Sequence, residues 1–360
     1  MKHEYKELDY DVVSQVLNLG SLNTRTAIYV VGQNKGGVGK TTFTGLMAQV
    51  SVEFLKKRVL IIDLDPQGNI SSCYIKLEEE SLFQLDASKT IMPPIHPDYI
   101  SGEFTDEERP CFTDLFAPSP EGGVIGLYPY ISDHNPDISI VPAYSSKLIR
   151  YREVAEATMQ IAKNNPDINE VEELRMISSD PDYRADLKRR IVMNIADSIL
   201  SVRDDISNTN HEDGGPLFHS IIIDTPPDKS LLVEAACIAA DHVVFPFQSD
   251  AFNLDGSKSM FNFISIVNQM RESAGHMPCK ITFQPNNVNG SRKNQLRDLN
   301  AFASSEKING KINFPLRQVS KLSEMLMYRP GDISLTTHFK GAKTYLTSIQ
   351  KVIMNILGEK

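Results

Sequence analysis

Lys35-Gly36-Gly37-Val38-Gly39-Lys40-Thr41-Thr42 stands between a short apolar run, 27–31, and a stretch with large apolar side chains at helical spacing, 43–54. The apolar run is rich in β-branched residues, which is typical of a buried strand. Strand, glycine loop and helix in this order let backbone N–H groups surround a phosphate at the positive end of the helix. The glycines lack β-carbons and so leave room for a polyanion. Residues 35–42 are therefore predicted to form a nucleotide site.

Two lysines and a threonine give this loop its chemistry. Lys40 is expected to reach the β- and γ-phosphates, and the hydroxyl of Thr41 is expected to bind Mg²⁺. The common pattern G-x-x-x-x-G-K-[ST] is broken at its first position, where the chain has Asn34, and Lys35 follows at once. A second lysine at the start of the loop marks a narrower class than the generic phosphate-binding loop.

Acidic residues follow two further apolar runs. Residues 59–62 lead into Asp63-Leu64-Asp65, and residues 220–223 lead into Asp224. Unbroken apolar runs are typical of central parallel strands covered on both faces. In such sheets ligands bind outside the carboxyl ends of the strands, which places both acidic groups beside the phosphate loop. A single acid after a strand is often only a helix cap, but two of them beside this loop favour a catalytic site.

These positions predict roles and a fold. Asp224 is expected to hold Mg²⁺ through a water, and Asp65 to orient or deprotonate the attacking water, so Thr41, Asp65 and Asp224 form the predicted Mg²⁺ set. Lys35, Lys40 and Asp65 are the predicted catalytic residues. The fold class is α/β, with a doubly wound, mainly parallel sheet of P-loop NTPase type and helices on both faces.

The motifs together resemble those of the ParA/MinD ATPases with a deviant phosphate loop, and most closely ParA, the partition ATPase of plasmids and chromosomes. The resemblance rests on the loop 35–42 and on the runs Asp-Leu-Asp-Pro-Gln-Gly-Asn at 63–69 and Ile-Ile-Asp-Thr-Pro-Pro at 222–227. Weaker matches follow in family order, at 138–143, 245–256, 321–324 and 341–345.

The resemblance implies a mechanism. In relatives Lys35 reaches across a dimer interface to the partner's nucleotide, so ATP would drive the formation of a sandwich homodimer. That dimer would bind DNA without sequence preference, and slow hydrolysis would be stimulated by a ParB-like centromere-binding protein. ATP and Mg²⁺ are the implied cofactors, and the implied location is cytoplasmic and associated with the nucleoid.

Composition and segment lengths suggest how the chain is organised. The 360 residues are 41% hydrophobic and 23% charged, which is ordinary for a globular protein with a large core. We expect an N-terminal extension at 1–24 and one ATPase domain at 25–360, with enlarged connections at about 75–137 and 160–215. Apolar spacing predicts an amphipathic helix at 187–199. The four cysteines lack C-x-x-C spacing and are predicted to be buried or incidental thiols in a reducing cytosol.

The charge of the chain is uneven. The net charge is −9, which argues against binding to nucleic acid. Between residues 292 and 343, however, the sequence has ten Lys and Arg residues and only four acidic residues. A solvated basic face is the usual meaning of such a cluster, but sequence-independent DNA binding needs only local basic residues against phosphates. With the family resemblance, the DNA-binding candidates are Arg292, Lys293, Arg317 and Lys321.

Two related functions stay open. A membrane-positioning ATPase of the MinD kind would anchor through a short amphipathic C-terminal helix. The tail 345–357 is amphipathic but poor in basic residues, so we expect it to pack on the sheet and expect no stable membrane anchor. A ParA-like ATPase that positions another protein cargo is the second alternative.

Overall fold

The computed structural model describes residues 25–79, 90–103, 108–115, 127–164, 169–248, 251–273, 275–286, 294, 297, 311–317 and 334–359. Residues 1–24, expected to be an extension, lie outside this part, as do portions of both connections that the sequence marks as enlarged.

An eight-stranded sheet forms the centre of the described chain. Its strands are β1 Ala27–Val31, β2 Val59–Asp63, β5 Tyr130–Ile131, β6 Ile138–Val141, β7 Ser220–Asp224, β8 His242–Phe247, β9 Lys280–Pro285 and β10 Lys311–Ile312. They lie in the order β10-β9-β8-β1-β7-β2-β6-β5. All neighbouring strands run parallel except β5, which is antiparallel to β6 at one edge. This confirms the predicted mainly parallel sheet. A separate antiparallel pair consists of β3 Glu78–Glu79 and β4 Ile91–Met92.

Helices cover both faces of the sheet. The longer ones are α1 Lys40–Glu53, α5 Val154–Asn164, α6 Glu170–Ser179, α7 Pro181–Asn208, α8 Leu231–Ala239, α9 Ala251–Ser273 and α11 Lys343–Leu357. Short helices are α2 Ser71–Tyr74, α3 Pro97–Ser101, α4 Ser145–Ile149 and α10 Leu335–His338, with a 3-10 turn at Phe112–Leu115. The amphipathic helix predicted at 187–199 is confirmed as part of α7, which buries Ile191, Ile195 and Ile199.

Alternation along β1 shows how the two cores arise. Successive side chains of a strand point to opposite faces, so Ile28 and Val30 join α7 and α8 in one buried cluster. Tyr29 and Val31 join α1 and α11 in the other. Strands β2, β7 and β8 are buried along their whole length because each has helices on both sides.

The tail helix α11 belongs to the second cluster. Ile349, Val352 and Ile353 on its apolar face are each at most 1% exposed. The predicted packing of the tail against the sheet is therefore confirmed. The four cysteines are likewise buried, and none of them forms a disulfide. Among the described residues no helix is both long and apolar enough to cross a membrane.

Candidate functional site

The glycine loop connects β1 to α1 and opens onto the first turn of that helix. Gly39 caps α1 with φ 92°, a left-handed conformation that disfavours a β-carbon. The Gly39 carbonyl accepts the N–H of Phe43 at 2.9 Å. The N–H groups of the first helical turn have no acceptor within the helix, so this end of α1 is suited to an anion.

Two side chains from neighbouring strands fix the loop. The amide Nε2 of Gln248, just beyond β8, donates to the carbonyl of Gly37 at 3.2 Å. The amide Nδ2 of Asn286, just beyond β9, donates to the carbonyl of Val38 at 3.4 Å. No role was predicted for either residue, although each is an amide side chain immediately after an apolar strand and Gln248 lies within the weaker family match at 245–256.

Lys40 is the first residue of α1, and its side chain is buried against the glycine loop. Its Nζ donates to the carbonyl of Lys35 at 3.3 Å. Burial lowers the pKa of the Lys40 ammonium, whereas the carboxylates of Asp224, Asp65 and Asp228 act to raise it. A partly desolvated cation gains free energy from any further negative charge brought beside it, which suits Lys40 to a phosphate group.

Asp224 at the end of β7 is fully buried and is held by two threonines of α1. Its Oδ2 accepts the hydroxyl of Thr41 at 2.9 Å, and its Oδ1 accepts the hydroxyl of Thr44 at 2.9 Å. Burial raises the pKa of Asp224 to about 7, although both hydrogen bonds act to lower it. No role was predicted for Thr44 from the sequence. The available signal was its position three residues after Thr41, which places both hydroxyls on one side of the helix.

Asp63 is a second buried carboxyl group, for which no role was predicted from the sequence. It lies opposite Asp224 in the β2–β7 register. Its Oδ2 accepts both the backbone N–H and the hydroxyl of Ser71, at 3.0 and 2.6 Å, and its Oδ1 accepts the N–H of Asp65 at 3.0 Å. Burial, followed by the charge of Asp224, raises the pKa of Asp63 well above its usual range. Asp63 therefore organises the loop after β2.

Asp65 lies at the same edge of the sheet and is 7% exposed. Its Oδ1 accepts the N–H of Gln67 at 3.0 Å, and its carbonyl accepts the N–H of Gly68 at 2.9 Å. Its charge acts on Lys40, as noted above. The structure thus brings together Lys40, Thr41, Asp65 and Asp224, which are separated by up to 184 positions in the chain.

Of the four predicted DNA-binding residues, the structure describes only Arg317. Arg292, Lys293 and Lys321 lie outside the described residues. Arg317 is exposed, and its carbonyl accepts the hydroxyl of Tyr345 at 3.1 Å. Other exposed lysines in the C-terminal part of the described chain include Lys311, Lys340, Lys343 and Lys351.

Comparison with known families gives a match over more than half of the chain. Residues 26–100 and 152–274 match the AAA domain family AAA_31. The sporulation initiation inhibitor protein Soj of Bacillus subtilis is 25% identical over 67% of this chain and 65% of its own length. The chromosome partitioning protein ParA of Myxococcus xanthus is 24% identical over 67% of this chain and 59% of its own length. Escherichia coli protein IncC is 24% identical over 70% of this chain and 50% of its own length. The matched part thus spans about half to two thirds of the length of these three relatives.

Solved structures share the fold at lower identity. The ATP complex of a Cyanothece McdA variant superposes with a TM-score of 0.55 and 15% identity, over 94% of this chain and 98% of that one. A putative plasmid partition protein of Borrelia burgdorferi, bound to AMPPNP, gives a TM-score of 0.53 and 14% identity, over 92% and 98% of the two chains. At such identities the likeness concerns the fold alone.

Proposed function

Because the chain belongs to the AAA domain family AAA_31 and is a ParA-type ATPase, we propose that it is an Mg²⁺-dependent ATP switch that drives partition of a plasmid or chromosome. In this proposal the ATP-bound homodimer binds DNA without sequence preference. A ParB-like partner stimulates hydrolysis, which returns the protein to its unbound form.

One observation carries the nucleotide part of this proposal. Lys40, Thr41, Asp65 and Asp224 meet at the carboxyl ends of β2 and β7, beside the open N-terminus of α1. This arrangement supplies a cation, an anion-binding helix end and acidic groups within one crevice, as phosphoryl transfer to water requires. The ATP and AMPPNP complexes of McdA and of the Borrelia protein support the same choice of nucleotide.

Each residue has a stated task in hydrolysis. The N–H groups of residues 36–42 and the ammonium of Lys40 hold the β- and γ-phosphates and stabilise the charge that develops on them. Asp65 orients the attacking water and accepts its proton. Lys35, which is half-buried at the entrance of the loop, contributes a second positive charge to the nucleotide of the partner subunit.

The donor set beside Asp224 fits Mg²⁺. The hydroxyl of Thr41 and the carboxylate of Asp224 are hydrogen-bonded at 2.9 Å, and both offer the oxygen ligands that this ion prefers. Thr41 would hold the ion directly and Asp224 through a water. When bound there, the ion supplies neutralisation of phosphate charge.

Dimerisation and DNA binding complete the switch. ATP at the interface makes the dimer nucleotide-dependent, since a ligand held by both subunits stabilises their association. Two copies of the basic surface then engage one duplex, which raises avidity without new contacts. Arg292, Lys293, Arg317 and Lys321 are the proposed contacts. Residues 25–360 act as one domain in this proposal, and the protein resides in the cytoplasm on the nucleoid.

The test separates nucleotide binding from turnover. Lys40→Ala should abolish binding of a fluorescent ATP analogue, whereas Asp65→Ala should bind it normally and lose hydrolysis. Lys56→Ala, which removes an exposed lysine beyond the far end of α1, serves as the control and should retain both properties. Unchanged hydrolysis in Asp65→Ala would show that another residue orients the attacking water.

The alternative is a positioning ATPase for a membrane-bound or other protein cargo. The buried apolar face of α11 weighs against use of that helix as a membrane anchor, because its apolar side chains already pack on the sheet. Sedimentation with liposomes in the presence of ATP tests the membrane form of this alternative. Binding to liposomes, together with failure to bind DNA, would favour it.

A further inference from the structure

The loop that carries Asp65 is covered on its outer side by the β3–β4 pair and the residue before it. A β-carbon built on Gly68 would lie 1.9 Å from Cδ1 of Ile91 and 3.1 Å from Cδ1 of Leu77. Both side chains therefore rest directly on the loop backbone. Gly68 also has φ 62°, where other residues are strained. Only glycine allows the loop and its cover to meet this closely.

Ser145, the first residue of α4, ties this cover to the loop. Its hydroxyl donates to the carbonyl of Pro66 at 2.6 Å and accepts the N–H of Ile91 at 3.0 Å. Ser145 is 3% exposed, so water competes little for either hydrogen bond. One buried hydroxyl thus joins the residue next to Asp65, strand β4 and the start of α4.

The inner side of the same loop is anchored separately. Asp63 holds the N–H of Asp65 and both donors of Ser71, as described above, and the hydroxyl of Ser71 accepts the N–H of Ala143 at 3.0 Å. The loop is therefore fixed from two directions. The inner anchor fixes its two ends, and the outer tie at Pro66 and Gly68 fixes the turn between them.

We propose that Ser145 and Ile91 are positioning residues for ATP hydrolysis, which set the orientation of Asp65 toward the attacking water through Pro66 and Gly68. The proposal rests on the proposed role of Asp65. Both residues act through the backbone of the Asp65 loop, whereas nucleotide affinity is assigned to the phosphate loop. A misplacement of about 1 Å can lower a catalytic rate on the order of 100-fold, so loss of the tie is expected to affect turnover rather than affinity.

The experiment measures kcat and KM for ATP in the full chain, together with the Kd of a fluorescent ATP analogue. Ser145→Ala and Ile91→Ala are each expected to lower kcat roughly tenfold or more, with KM and Kd within about twofold of wild type. Ser145→Thr keeps the hydroxyl and should recover most of the rate. Ser51→Ala is the matched control, since it removes an equally buried hydroxyl that donates to the carbonyl of Met47 inside α1, and it should leave kcat unchanged.

Stability and affinity together show whether a variant is folded. Ile91→Val is a milder variant, and it should lower kcat in the same direction by a smaller factor. The proposal is overturned if the folded variants keep wild-type kcat, or if Kd rises in proportion as kcat falls. Absence of ATP binding or turnover in the wild type would instead overturn the proposed function, and the positioning roles with it.

Discussion

Thr44→Val replaces a fully buried hydroxyl by a methyl group of similar size, beside a fully buried carboxyl group. The hydroxyl donates to Oδ1 of Asp224 at 2.9 Å. A hydrogen bond to a charged group contributes about 1.5–3 kcal/mol to the free energy of unfolding, and its loss leaves the acceptor unsatisfied. We therefore expect Thr44→Val to be destabilised by about that amount wherever Asp224 is ionised.

The pH dependence gives this prediction its sign. Burial raises the pKa of Asp224 to about 7, so the native protein loses stability as pH rises from the unfolded-state pKa through that value. The hydrogen bond from Thr44 favours the ionised form, and removing it raises the pKa further. The deficit of Thr44→Val should thus be small at pH 6, larger at pH 8.5, and complete only above the raised pKa of the variant.

Urea unfolding of the nucleotide-free protein, in EDTA and at both pH values, measures this deficit. Thr44→Ser is the control because it keeps the hydroxyl and loses one methyl group, at a cost of about 1 kcal/mol that should not depend on pH. An equal deficit for Thr44→Val at pH 6 and 8.5 would refute the role assigned to this hydrogen bond.

Three further expectations concern His242, Lys35 and Lys321. Burial lowers the pKa of His242 to about 4, so the unfolded chain takes up a proton before the native protein does. Relative to His242→Gln, the wild type should lose about 3 kcal/mol in urea unfolding between pH 7 and 4, and parallel curves would contradict this. Light scattering with ATP should show a dimer for Asp65→Ala and a monomer for the double variant that also carries Lys35→Ala. Dimers in both would show that Lys35 does not act on the nucleotide of the partner subunit. Lys321→Glu should weaken binding to unrelated duplexes equally and reduce the salt slope by roughly one, whereas a loss confined to one duplex in mobility shifts would indicate base recognition.

The sheet, and the edge of it where the nucleotide site lies, could be predicted because short stretches of sequence indicate each strand end. Unbroken apolar runs before Asp63 and Asp224, and the glycine loop before α1, each identify a strand end without knowledge of the rest of the chain. The parallel arrangement then places these ends together. Packing of the α11 tail was also predictable, because its apolar spacing fits one buried face.

The contacts that tune the site could not be predicted in the same way. The hydrogen bond between Thr44 and Asp224 joins residues 180 positions apart, and the one between Asn286 and Val38 joins residues 248 apart. Such pairs depend on how strands are ordered in the sheet, which single-residue chemistry does not specify. The two hydrogen bonds of Ser145 depend on the path of the enlarged connection at about 75–137, whose sequence has no clear helix or strand pattern.

Nucleotide-gated DNA binding tests the central claim most directly. The measurement is a titration of Asp65→Ala on two unrelated duplexes by mobility shift, with ATP or ADP and at several salt concentrations. The account predicts binding with ATP alone, equal affinity for both duplexes and a steep loss of affinity as salt rises. Equal binding with ADP, or no binding with ATP at low salt, would contradict it.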